Sequence, residues 1–138
     1  MYRRDASPDR SLLISAFAGQ IFALDRATGA IRWEVNIGDY SAVELFLAEG
    51  VVVVATLKHL AFLDYATGAL HRTVELAAHA GRSTMLVDGA HIYVGGSGAV
   101  ACYTLRGDCV WSQPFKGKGI GDVALGLPGN VRQADANT

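Results

Sequence analysis

The chain reads as an all-β propeller segment: three four-stranded blades per chain, which pair as a homodimer into a six-bladed ring. Three observations predict this. A segment recurs at about 39 residues, the length of one four-stranded blade. Short apolar runs alternate with glycine turns, and no stretch carries the 3.6-residue period of an amphipathic helix. Gly50, Gly89 and Gly129 also recur at close to that period, marking a turn shared by the copies.

The repeat is clearest at residues 21–33. Ile21-Phe22-Ala23-Leu24-Asp25 aligns with Leu60-Ala61-Phe62-Leu63-Asp64 and with Val100-Ala101-Cys102-Tyr103-Thr104. The turn that follows is Arg26-Ala27-Thr28-Gly29, then Tyr65-Ala66-Thr67-Gly68, then the shorter Leu105-Arg106-Gly107. Trp33, Arg72 and Trp111 hold the equivalent later position, and Gly50, Gly89 and Gly129 mark a second shared turn. Strands are therefore expected at 11–17, 20–25, 30–36, 42–48, 51–56, 59–64, 69–76, 82–87, 91–95, 99–104, 108–114 and 122–128. The repeats run about 12–50, 51–89 and 90–129, within one unit at 1–131 followed by a polar tail at 132–138. A unit of one blade cannot close its own core, so the blades must stack.

The turn chemistry has its own logic. A carboxylate at Asp25 or Asp64 accepts backbone N–H bonds across the turn, the Thr28 or Thr67 hydroxyl adds another, and Gly29, Gly68 or Gly107 tolerates positive φ. A tryptophan four residues later projects a large flat ring toward the neighbouring sheet. The pattern Ala23-x-Asp25-x-x-Thr28-Gly29-x-x-x-Trp33 closely resembles the tryptophan-docking motif of PQQ-like β-propeller repeats, found in quinoprotein dehydrogenases and in outer-membrane assembly scaffolds. Copy two keeps Asp64, Thr67 and Gly68 but has Phe62 and Arg72 at the Ala and Trp positions. Copy three keeps Gly107 and Trp111.

In the resembled family this motif spans the third and outermost strands of a blade. The chain then begins at a second strand and ends with an innermost strand, 122–128, that has no outer strands after it. An open arc exposes apolar faces and an unpaired edge, which soluble proteins avoid. A second copy relieves both, each terminal strand supplying the innermost strand of its partner's first blade.

Composition sets outer bounds. The 138 residues are 51% hydrophobic with mean hydropathy +0.25, enough for one domain with a sizeable core. Twelve basic against thirteen acidic residues give a net charge of −1, and no basic run is interleaved with aromatics, so no nucleic-acid partner is expected. No apolar run is long enough for membrane insertion as a helix. Cys102 and Cys109 fall on adjacent strands of one hairpin, where a disulfide stabilises little; buried free thiols and a cytoplasmic location are expected. Arg3-Arg4 and the apolar run Leu12 to Ala18 loosely imitate a signal peptide, but Asp5 and Asp9 interrupt the leading region and Leu12 to Phe17 aligns with later strands.

Under the family topology, one face collects loops 17–20, 37–41, 56–59, 77–82, 95–98 and 116–121, and the docking hairpins lie opposite. That first face presents Asp39, Tyr40, Lys58, His59, His79, Arg82, Lys116 and Lys118 as candidate binding residues. His59, His71, His79 and His91 lack metal-ligand spacing, so no metal site is expected. Gly117-Lys118-Gly119-Ile120-Gly121 precedes no helix that would strengthen a phosphate seat. A quinoprotein resemblance would imply a quinone, a calcium ion and a catalytic Asp in a far longer chain, and no adjacent cysteine pair is present. No hydrolase, zinc-protease or Walker motif occurs. The chain is therefore expected to have no catalytic residues and no cofactor, and to be a scaffold that binds itself and another protein. The alternative is a small-molecule or sugar sensor with one site per subunit, for which Tyr40 is the sole aromatic residue on the face.

Overall fold

A computed structural model describes residues 9–38, 44–76 and 83–133. Every element in it is a strand. They run β1 (Leu12–Phe17), β2 (Gln20–Asp25), β3 (Ile31–Asn36), β4 (Glu44–Ala48), β5 (Val51–Ala55), β6 (His59–Asp64), β7 (Leu70–Glu75), β8 (Thr84–Asp88), β9 (His91–Gly96), β10 (Ala99–Thr104), β11 (Cys109–Gln113), β12 (Leu125–Leu127) and β13 (Asn130–Arg132).

The strands form four antiparallel sheets, each a plain meander. Blade 1 is β1-β2-β3, blade 2 is β4-β5-β6-β7, blade 3 is β8-β9-β10-β11, and β12-β13 form a terminal hairpin. The offset phase read from the sequence is present, since blade 1 lacks an innermost strand among the described residues. Two expectations about the ends of the chain meet different outcomes. The first, that blade 1 enters at its second strand, holds: blade 1 has three strands and blades 2 and 3 have four. The leftover strand at 122–128 is not the final one: β12 narrows to Leu125–Leu127 and pairs with β13, so Arg132 belongs to a strand rather than to the tail. Pro128-Gly129 supplies that turn, in the same place as Glu49-Gly50 between β4 and β5, and this parallel was available in the sequence.

Two-residue hairpins explain why the meander is so regular. Ala18-Gly19, Glu49-Gly50 and Ser97-Gly98 all take positive φ at both residues, the I′ geometry whose twist matches the flanking strands. Glycine meets this requirement freely at the second position, and the first residue carries the strain.

Two apolar layers hold the blades together. Ile14, Ile21, Ala23, Val52, Val54, Ala61, Leu63 and Tyr65 are buried between blades 1 and 2. Val53, Ala55, Leu60, Phe62, Met85, Ile92, Val94 and Tyr103 are buried between blades 2 and 3. Blade 2 contributes to both, so β5 and β6 are apolar on both faces, while β1 and β2 alternate. At Gly95 an added Cβ would lie 2.7 Å from Val123, so the segment entering β12 presses directly on blade 3.

Candidate functional site

Antiparallel alternation divides the turns between two ends of the blades. The hairpin end carries the β2–β3, β6–β7 and β10–β11 turns, which the repeated motif builds. Asp25 Oδ1 accepts the amides of Ala27 at 2.9 Å and Thr28 at 3.1 Å, and Thr28 Oγ1 accepts the amide of Ala30 at 3.2 Å. Asp64 Oδ2 accepts both the amide and the hydroxyl of Thr67 at 2.9 Å. These bonds favour the ionised carboxyl: Ala27 and then Thr28 hold Asp25 below the usual carboxylate range, and the Thr67 hydroxyl does most for Asp64. In the third copy Thr104 takes over the aspartate's role, its Oγ1 accepting the amides of Arg106 and Asp108 at 3.2 Å. A threonine can cap a turn this way, so the loss of Asp in copy three did not abolish the hairpin.

At this end the blades are also joined. The Trp33 indole lies on Gly68, where a Cβ would sit 2.6 Å from two ring atoms, and Nε1 donates to the Tyr65 carbonyl at 2.9 Å. Tyr65 answers from the other side, its hydroxyl accepting the Leu12 amide at 2.8 Å and donating to the Leu12 carbonyl at 2.9 Å. One joint later, Arg72 stands in for the ring. Its guanidinium donates to the Arg106 carbonyl at 3.1 Å and to Asp108 at 2.7 Å, with its stem against Gly107. Sequence reading missed Tyr65 and Asp108; each follows or ends a motif turn, and that placement was the available signal.

The opposite, loop end is tied together by backbone bonds between neighbouring connections: Ile37 to Gly19, Leu76 to Lys58 at 2.6 Å, and Gly98 to Gly121 at 2.8 Å. Ser83 adds a bond to the Thr56 carbonyl, and buried Thr56 caps the turn holding Lys58 and His59. Lys116 and Lys118 lie on the connection from blade 3 to β12. The structure thus places these four candidates on one end, on two different blades. Asp39, Tyr40, His79 and Arg82 lie outside the described residues.

The described surface carries several depressions. A cleft of about 880 Å³ lies beside the open edge of β1, lined by Leu12, Leu13, Leu47, Gly50, Val51 and Tyr65 among others. An apolar cavity of about 210 Å³ lies between the outer strands of blades 2 and 3, against Val74, Val94, Ala101, Tyr103 and Cys109. A depression of about 260 Å³ involves Phe115, Lys118 and Asp122 at the loop end. Cys109 is exposed, correcting the expectation of two buried thiols; it pairs with Tyr103 and not with Cys102, whose burial pushes its thiol up. Among the described residues no three His, Cys, Asp or Glu side chains converge, so these residues do not form the metal seat a quinoprotein site would need. Among the described residues no helix is long and apolar enough to cross a membrane.

The family described as outer membrane protein assembly factor BamB matches residues 3–134. The chain belongs to that family. Among solved structures it is similar to BamB from Moraxella catarrhalis, at 26% identity and TM-score 0.62, over 75% of this chain and 33% of that one. A europium-containing methanol dehydrogenase, 21% identical, aligns with TM-score 0.55 over 73% of this chain and 22% of its own. The computationally designed Ika8 protein, 18% identical, aligns with TM-score 0.68 over 91% of this chain and 43% of its own. The latter two likenesses speak to fold alone, and the chain spans less than half the length of each structure. No curated protein matches the sequence significantly.

Proposed function

We propose that this propeller segment is a non-catalytic protein-interaction scaffold that pairs with a second copy to close a six-bladed ring. Family membership carries the first half of the reading, because the family is that of an outer membrane protein assembly factor. The loop end is the proposed contact surface, carrying Lys58, His59, Lys116 and Lys118; the other sequence candidates, Asp39, Tyr40, His79 and Arg82, lie outside the described residues.

Self-association is supported by the cleft beside β1. It lies at the hairpin end of the β1 edge, against Leu12, Leu13 and the β4–β5 turn, and Leu13 on its wall is 58% exposed. β13 packs against β8, and Arg132 reaches Glu44 at 3.4 Å and sits 4.6 Å over the Phe46 ring, so β13 leans toward the ring axis. The other edge of β12 then faces outward, the direction in which β4 receives β5. Unpaired Cys102 and Cys109 support a reducing, cytoplasmic compartment as part of the same reading.

Affinity capture from native lysate tests the scaffold role. A specific protein held by the intact chain and lost on Lys58→Glu, Lys116→Glu and Lys118→Glu together supports it; equal recovery by both removes the loop face from the reading.

A further inference from the structure

Each blade carries a lateral row of side chains that ends in the residue facing the next blade. The rows are Ile14-Ala23-Trp33 in blade 1, Phe46-Val53-Phe62-Arg72 in blade 2 and Leu86-Tyr93-Cys102-Trp111 in blade 3. In the first two rows the last side chain covers the glycine of the following hairpin and donates to a carbonyl of that turn. Trp111 holds the same place in the third row and does neither. It is 45% exposed, its ring meets Tyr93 of its own blade at 6.2 Å, and among the described residues its indole N–H has no acceptor.

A matching seat is open on blade 1. Gly29 has the φ of +79° found at Gly68, in a hairpin closed by the same aspartate and threonine bonds. A Cβ at Gly29 would meet nothing within 4 Å, whereas one at Gly68 would strike Trp33. The sheet behind this seat is apolar and uncovered: Leu13 and Phe22 align with Val52 and Ala61 of blade 2, which are buried, and Phe17 stacks on Phe22 at 5.4 Å. One chain therefore carries an unseated tryptophan and an unfilled tryptophan seat at opposite ends of its arc.

We infer that Trp111 of one copy seats on Gly29 of a second copy, its indole N–H donating to the Arg26 carbonyl, the position Tyr65 holds in the filled turn. The inference rests on the self-association proposed above and specifies the residues that make it; the seat at Gly29 is incomplete without the partner's tryptophan. A two-chain ring contains two such joints.

The test is sedimentation velocity on a dilution series of the full chain, Trp111→Ala and Gly29→Ala, with far-ultraviolet circular dichroism to confirm folding. Removing a central tryptophan should weaken association by about thirtyfold per joint. Trp111→Ala alters an exposed side chain and should leave the chain folded. Mixing the two variants should restore association in part, because a mixed pair has one joint carrying both defects and one intact. Trimers disrupted by the same substitutions support the joint as well. Undiminished association in both variants, or absence of rescue on mixing, overturns the joint and leaves the scaffold reading standing. A wild-type chain that stays monomeric overturns the joint and the self-association together.

Discussion

Gly68→Ala and Trp33→Ala form a double-mutant cycle that measures the joint between blades 1 and 2. Trp33 is half-buried and donates one hydrogen bond, so Trp33→Ala should cost about 2–3 kcal/mol, below the range for a fully buried ring. Gly68→Ala combines two effects. Its φ of +79° costs an alanine about 1–2 kcal/mol. Its new methyl would also lie 2.6 Å from Cδ2 and Cε3 of Trp33. Ordinary carbon contacts begin near 3.5 Å, so the indole must retreat by about 1 Å. That movement breaks the 2.9 Å bond to Tyr65, and most of what Trp33 contributes goes with it. Gly68→Ala alone should then cost about 3–4 kcal/mol, but only the φ term of about 1–2 kcal/mol once Trp33 is alanine. The coupling of roughly 2 kcal/mol is read from urea unfolding at one fixed protein concentration. Losses that add to within about 0.5 kcal/mol would show that the ring and the glycine do not support one another, and the joint would have to be abandoned.

Other perturbations reach the remaining parts of the structure. Tyr65→Phe removes a hydroxyl that bonds both the amide and the carbonyl of Leu12 and should cost about 1–2 kcal/mol, with amide exchange rising first at Leu12. Gly107→Ala places a methyl 2.9 Å from Val74 and 3.0 Å from Arg72 at a φ of +92°; a cost of about 3 kcal/mol in thermal unfolding is expected, and a loss under about 1 kcal/mol would mean that the blade 2–3 joint yields freely. Acid should destabilise the hairpins in a defined direction. Asp25 and Asp64 have folded pKa values below the unfolded value of about 3.9, so their contribution is complete above that pH and is lost as pH falls through the lower folded values. Asp64→Asn should flatten that part of the stability profile, and an unchanged profile would contradict the carboxylate's role. Deleting residues 122–138 uncovers Gly95 and removes the strand offered to a partner, so both folding and association should fail.

The fold was legible because its determinants are local and repeated. A period near 39 residues fixes the blade. Asp-x-x-Thr-Gly fixes the outer hairpin, and three X-Gly pairs fix inner or loop-end turns of I′ type. That blade 1 shows no innermost strand among the described residues follows from the place the resembled family gives the motif in a blade. What escaped was set by partners distant in sequence. Tyr65 is an unremarked turn residue until its hydroxyl meets Leu12, 53 positions away. Thr104 and Asp108 rebuild a turn whose motif had degraded, and Arg72 finds a carbonyl and a carboxylate where a ring was expected. β13 was overlooked because three residues after Pro128-Gly129 are too few to show a period, and Arg132 reads as polar tail until its stacking on Phe46 is seen. Of the loop-end candidates, Lys58, His59, Lys116 and Lys118 share the face that the strand alternation assigns them. A solvated loop side chain has no packing rule that sequence can follow further.

Sedimentation equilibrium on the full 138-residue chain at micromolar concentration addresses ring closure most directly. Two open blade faces and a β1 edge that is unpaired among the described residues predict a mass of two chains, or three if the ring takes nine blades. A stable, folded species with the mass of one chain, 14.6 kDa, would contradict closure by a second copy.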